Sequence, residues 1–181
     1  MVAKRRRASG FTLLEVMVVT AIMGTLMAIA VPGIKTLLNV QKMKSATFDL
    51  VTTAMLARSE AIKWGSGNPA VTTAPSISIV APSNNFSNGW CIVFTSATAC
   101  SLSAPADGVM QIVKPTANMA YVYQGTAAPI VFTRTGRLFG GVPVTLLVTD
   151  GDAYATPRCV TFDTNGNARV RVMAAGTTSC T

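Results

Sequence analysis

The sequence contains no histidine. The Ser-His and Cys-His arrangements that activate common catalytic nucleophiles are therefore closed to it. Charge is scarce too: 12% of residues are Asp, Glu, Lys or Arg, about half the usual share of roughly 25%. No G-x-x-x-x-G-K-[ST] phosphate loop occurs. The four cysteines lack C-x-x-C spacing, and without histidine they make a poor zinc site. Asp150-Gly151-Asp152 reads as a polar turn, and Asp163 with Asn165-Gly166-Asn167 lacks the distal glutamate of a calcium loop. The chain is expected to be no enzyme and to carry no metal or cofactor. The shortage of charge is sharpest over residues 11–31, where Glu15 is the only charged residue in 21 positions.

What is present begins just before that stretch. Lys4, Arg5, Arg6 and Arg7 precede Ala8-Ser9-Gly10-Phe11. A helix over residues 11–31 is long enough to cross a hydrocarbon core of about 30 Å at about 1.5 Å per residue. The basic block before it should stay cytoplasmic. A lone carboxylate in such a span is costly, so Glu15 needs a partner. A secretory signal peptide is the other reading, with Ala28-Ile29-Ala30 as its cleavage site and Val31 as the mature N-terminus. It would release a secreted protein, but it places Glu15 inside the apolar h-region and needs an unusually long one.

The 181 residues allow one membrane helix and one modest domain. The formal charge of +8 overstates the basicity of that domain. Without Lys4, Arg5, Arg6 and Arg7, the 15 Lys/Arg fall to 11 against 7 Asp/Glu, a side-chain balance of +4. That balance does not by itself specify a nucleic-acid partner. Cys91, Cys100, Cys159 and Cys180 form an even set downstream of an export segment, which suggests disulfides. Three pairings are possible. Cys91–Cys100 with Cys159–Cys180 is preferred because each pair closes a local loop.

Pro32 and Gly33 should kink the helix. Phe48, Val51, Met55 and Ile62 then recur at helical spacing, which predicts an apolar face packed on a sheet. Gly65-Ser66-Gly67 ends the run. If helical throughout, residues 11–64 would extend roughly 80 Å as a stalk half in lipid and half under a sheet. Short β-branched runs follow, predicting strands over 76–80, 90–95, 110–114, 120–123, 130–134, 144–148, 159–162 and 168–173. Residues 69–75, 81–88 and 96–107 read as exposed loops. Hairpins are expected at Arg134-Thr135-Gly136-Arg137 and Thr164-Asn165-Gly166-Asn167. In Arg169-Val170-Arg171 the two arginines share one face of a strand, with Val170 and Val172 directed to the core. The fold class is α+β: a long N-terminal membrane-spanning helix packed on a C-terminal antiparallel sheet domain.

Gly10-Phe11-Thr12-Leu13-Leu14-Glu15 resembles the processing and assembly motif of type IV pilins and type II secretion pseudopilins. The resemblance implies residues 1–10 as a leader, with cleavage by prepilin peptidase after Gly10 and N-methylation of Phe11. It implies a helix over 11–64, with 11–31 in the inner membrane and 32–64 on the sheet, and a β-rich domain over 65–181. Pro32 falls where pilins commonly carry a helix proline. Glu15 would pair with the Phe11 amine of a neighbouring subunit on assembly, which removes two uncompensated charges. Ala57-Arg58-Ser59-Glu60-Ala61-Ile62, Gly89-Trp90-Cys91-Ile92-Val93-Phe94 and the two late hairpins narrow the resemblance to the FimT/GspH group. That group implies a minor pilin in a pilus or, alternatively, an H-type pseudopilin of a type II secretion system. Other pilins or pseudopilins would be its partners, and the domain would lie outside the cytoplasm. FimT-type pilins bind DNA during natural transformation through a C-terminal Gly-Arg-x-Arg motif. Ala168-Arg169-Val170-Arg171 is similar to it, with alanine in place of the glycine. Double-stranded DNA would then meet Arg169 and Arg171, with Arg137, Arg134, Lys114 and Arg158 extending the patch. A charged edge strand that blocks unwanted pairing is the alternative reading of those arginines.

Overall fold

The computed structural model of the chain describes residues 10–66, 77–94, 100–102, 108–125 and 129–180. The chain divides into two compact units, Met1–Leu37 and Leu38–Thr181. One helix, α1, covers Leu13–Ser66 and continues through Pro32-Gly33. Its start is capped by Thr12. The Glu15 N–H lies 3.3 Å from Thr12 Oγ1 and 3.1 Å from the Thr12 carbonyl oxygen. Thr12 and Glu15 stand three apart, the spacing of a capping box.

In the first unit every large apolar side chain from Phe11 to Leu37 is exposed. Two of its threonines turn their hydroxyls back onto their own helix. Thr20 Oγ1 donates to the Met17 carbonyl at 3.0 Å, and Thr25 Oγ1 to the Ile22 carbonyl at 2.8 Å. Backbone and hydroxyls are thus satisfied internally, as a lipid environment requires. By length and composition the helix can cross a membrane.

In the second unit eight strands follow: β1 (Ile77–Val80), β2 (Trp90–Phe94), β3 (Val109–Val113), β4 (Met119–Tyr123), β5 (Ile130–Phe132), β6 (Val144–Asp150), β7 (Arg158–Phe162) and β8 (Ala168–Val172). They form two antiparallel sheets rather than one, in the orders β3-β2-β1-β5 and β4-β6-β7-β8. One hydrophobic cluster joins both sheets to α1. Arg134, expected at the end of the fifth strand, sits in the turn beyond it, because β5 stops at Phe132.

The helix face that enters this core is not the expected one. Met43, Ala46, Thr47, Leu50, Ala54, Ala57 and Ala61 are buried, whereas Phe48 is 66% exposed, Met55 58% and Ile62 44%. Alanine allows the helix to approach the sheets closely. The bulk comes from the strands instead, in Trp90, Phe132 and Phe162. The heavier apolar stripe was therefore the outward one. Residues 81–88 also depart from expectation. They fold into two short 3-10 turns, and Phe86 is buried. Its ring sits 5.7 Å from Trp90 and 5.6 Å from Tyr123, filling the space between the sheets' aromatic residues. Trp90 anchors the helix in turn, with Nε1 3.3 Å from Thr53 Oγ1. Tyr121 donates to the Ala46 carbonyl at 3.3 Å. Burial first, and then the Asp49 charge, raise the Tyr121 pKa well above its ordinary value, so the phenol stays a donor.

Two disulfides close local loops. Cys91–Cys100 links β2 to the segment after it, and Cys159–Cys180 ties the C-terminal tail to β7. The Cys180 N–H also donates to Gln124 Oε1 at 3.2 Å, so the tail is held from β7 to the end of β4.

Candidate functional site

Two regions gather the residues that the sequence marks for function. The first is the helix start. Gly10, Phe11 and Glu15 are all exposed, and Phe11 is 84% so. Glu15 lies in the first turn of α1, where a carboxylate is favoured by the N-terminal backbone N–H groups. Among the described residues it forms no salt bridge. Thr12 went unnoticed in the sequence, although Thr-x-x-Glu just before an apolar run is a helix-start signal.

The second region is the pair of late hairpins. Asp163 shapes the last one. Its carboxylate accepts the N–H groups of Asn167 at 2.9 Å and Asn165 at 3.0 Å, and Asn167 Nδ2 at 3.1 Å. These bonds, the Asn167 N–H foremost, lower its pKa, and the nearby Arg169 charge adds to the shift. The carboxylate is engaged by its own turn rather than turned out toward a cation. Asp150 behaves alike, accepting the N–H groups of Asp152, Tyr154 and Ala155 at 3.1–3.2 Å.

The two hairpin turns touch. The Leu138 N–H donates to the Thr164 carbonyl at 3.1 Å. Gly166, at φ +77°, lies so close to the Gly136 carbonyl that a Cβ would collide with it. A Cβ on Gly136, at φ +71°, would lie 2.8 Å from Ile62 Cδ1 and 3.0 Å from Arg58 Nε. Glycine is needed at both places for positive φ and for close approach. Arg58 then bolts the junction to the helix, with Nη1 2.9 Å from Asn167 Oδ1. Nothing in the sequence signals this contact across more than a hundred residues.

Arg134 and Arg137 flank one of these turns, and Arg169 begins just beyond the other. Arg137 is exposed in its turn and Arg134 half-buried, while Arg169 and Arg171 are exposed on β8. They pair across the sheet with Thr161 and Cys159, which puts both on the face that carries the Cys159–Cys180 bond. Val170 and Val172 do not enter the core as expected: they are 43% and 63% exposed. The reason is position, since β8 is the outermost strand of its sheet. Arg158 stands on the opposite face, in register with Val172 and Val148, and is half-buried. Lys114 follows β3, at the far edge of the other sheet from β5 and its Arg134–Arg137 turn. It is not brought to the arginines.

Among the described residues no cluster of three or more Cys, Asp or Glu side chains could hold a metal. One shallow hollow, of about 320 Å³, is lined by Tyr123, Phe139, Val142 and Pro143.

Comparison with known proteins agrees with this architecture. Residues 5–31 match the prokaryotic N-terminal methylation motif. Residues 46–176 match the family described as type II transport protein GspH. No curated protein matches the chain significantly in sequence. Among solved structures it is similar to the type IV minor pilin FimU of Pseudomonas aeruginosa. The two are 17% identical with a TM-score of 0.54, and the match covers 78% of this chain and 96% of that one. It is also similar to the minor pseudopilin EpsH from the type 2 secretion system of Vibrio cholerae. That pair is 15% identical with a TM-score of 0.50, covering 72% of this chain and 97% of that one. These likenesses are of fold. The family match spans most of the second unit and the methylation motif precedes it, so the chain belongs to the GspH family of minor pilins and pseudopilins, which are structural subunits and not enzymes.

Proposed function

We propose that the chain is a minor type IV pilin, cut after Gly10 by prepilin peptidase, methylated at Phe11 and inserted into a pilus from the inner membrane. The observation that carries this reading is the union of the methylation motif and an exposed Glu15 with a GspH-type folded unit in one chain. Glu15 pairs with the Phe11 amine of the next subunit in this account. Gly10→Val should leave an uncut precursor, since the peptidase needs a small residue before the cut. Glu15→Val should insert into the membrane but fail to enter the filament. Normal incorporation of Glu15→Val, measured in sheared filaments, would defeat the pairing.

The family description favours a second reading, an H-type pseudopilin serving protein secretion. Deletion of the gene separates them: loss of pili or of DNA uptake supports the first, and retention of secreted proteins in the periplasm supports the second.

The exposed pair Arg169 and Arg171, with Arg137 on the adjoining turn, supports non-specific contact with double-stranded DNA. Such contact neutralises phosphates without reading bases. With two to four phosphates engaged, the log-log salt slope should lie near −2 to −4, at about −0.9 per contact. Arg169→Gln with Arg171→Gln should remove most binding by the full chain in detergent. Lys42→Gln with Lys44→Gln removes equal charge from the helix and is the control. Equal losses, or no binding at low salt, would end the DNA reading.

A further inference from the structure

The two outer strands of the second sheet end differently. On β4 the outward Tyr121 N–H is met by Ser87 Oγ at 3.0 Å, so the middle of that edge is occupied by the preceding 3-10 turn. On β8 the register shows what is left open. Asp163 N–H donates to the Asn167 carbonyl and Met173 N–H to the Pro157 carbonyl. Hydrogen-bonded pairs alternate with non-bonded pairs in an antiparallel ladder. Arg169 and Arg171 therefore spend their backbone groups on β7, opposite Thr161 and Cys159. The N–H and C=O groups of Val170 and Val172 point away from β7, toward the open edge.

The side chains beside that edge are divided by charge. Val170 and Val172 are exposed on the helix side of the sheet, and Arg169 and Arg171 on the other. The neighbouring flank of α1 carries the exposed apolar stripe. Ile62 and Arg58 meet the hairpin turns where β8 begins. Val172 lies in the cross-strand row of Arg158, Val148 and Tyr121, and Tyr121 bonds to Ala46 of α1. So β8 runs back along the helix from the level of Arg58 toward that of Ala46. Met55, Val51 and Phe48 occupy that interval on the face of Ile62.

We propose that β8 accepts a further strand from a different polypeptide, an extended segment in which apolar residues alternate with Asp or Glu. Its backbone pairs with Val170 and Val172. Its apolar side chains fill the space between those valines and the Phe48–Met55 flank, and its carboxylates face Arg169 and Arg171. Charge complementarity selects this occupant. A second copy of this chain does not supply it: among the described strands the only acidic residue is Asp150, at the end of β6. The proposal is independent of the DNA reading, which uses the arginines and no backbone pairing.

The test uses the full chain in detergent and a labelled peptide alternating Val and Glu over seven residues. The peptide should bind, and amide exchange at Val170 and Val172 should slow by about tenfold or more, the scale of a gained hydrogen bond or two. The same peptide N-methylated on the amides of one edge should bind about tenfold more weakly with its charge unchanged. Val170→Pro should act likewise, because proline is tolerated where a strand's N–H faces outward. Arg169→Glu with Arg171→Glu should transfer preference to a peptide of the same length that alternates Val and Lys. If the N-methylated peptide binds as well as the parent, or the Val170 and Val172 amides exchange at unchanged rates, the arginines attract charge alone and no strand site exists.

Discussion

The two halves of α1 show opposite uses of hydrophobic side chains. From Phe11 to Leu37 the large apolar residues surround the helix and every one is exposed. From Met43 to Ala61 the buried face is mainly alanine, and the large residues Phe48 and Met55 lie outside. Hydrophobic size thus fails twice as a guide to burial within one chain. In the first half the apolar surround suits lipid, where the backbone is satisfied internally. In the second half close approach matters more, and the strands supply the volume. A hydrophobic side chain is placed by what it must fit against.

The sharpest way to break this comparison is to exchange the roles of the two faces. Phe132→Ala removes a fully buried ring and should cost about 3–5 kcal/mol, and Leu50→Ala about 2–5 kcal/mol. Phe48→Ala and Met55→Ala should change stability by no more than about 0.5 kcal/mol in the isolated chain. Denaturant melts of the full chain in detergent measure all four. Equal losses on the two faces would mean that the outer stripe is packed after all.

A smaller effect is expected at the tail. Closing a loop of about 20 residues stabilises by roughly 3 kcal/mol in the chain-entropy model. Cys159→Ser with Cys180→Ser should therefore lower the melting temperature and release the segment from Gln124. Non-reducing peptide mapping should show Cys91 joined to Cys100 and Cys159 to Cys180, and a crossed pairing would contradict the fold.

Smaller still is the contribution of the hairpin junction. Arg58→Ala deletes the bond to Asn167 and should cost about 1–2 kcal/mol, with faster amide exchange in the last hairpin. The smallest effect concerns pH. The folded Asp163 has a lowered pKa, so its contribution is present above the ordinary carboxylate value of about 3.9 and is lost as pH falls through the lower folded value. Asp163→Ala should abolish that acid dependence in the hairpin's amide exchange.

Much of this was legible in the sequence. The single long helix, its end near Gly65 and the eight strands follow from periodicity and turn residues. Division into two sheets was not legible, because strand order depends on contacts far apart in the chain. The buried helix face was missed because Ala46, Ala54, Ala57 and Ala61 carry too little bulk to dominate a hydrophobic pattern. At the site, the shared face of Arg169 and Arg171 could be read from alternation. That alternation also suggested a buried Val170, since a strand's place at the edge of a sheet leaves no mark on its own residues. The glycine contact between the two turns and its lock by Arg58 depend on side chains meeting across the fold.

The claim that the first half of α1 is an assembly segment, released at Gly10, is tested most directly by the intact mass and N-terminal sequence of the protein extracted from its native membrane. The account predicts a chain that begins at Phe11 and carries one methyl group on its amine. A chain that begins at Val31, or that retains residues 1–10, would contradict it.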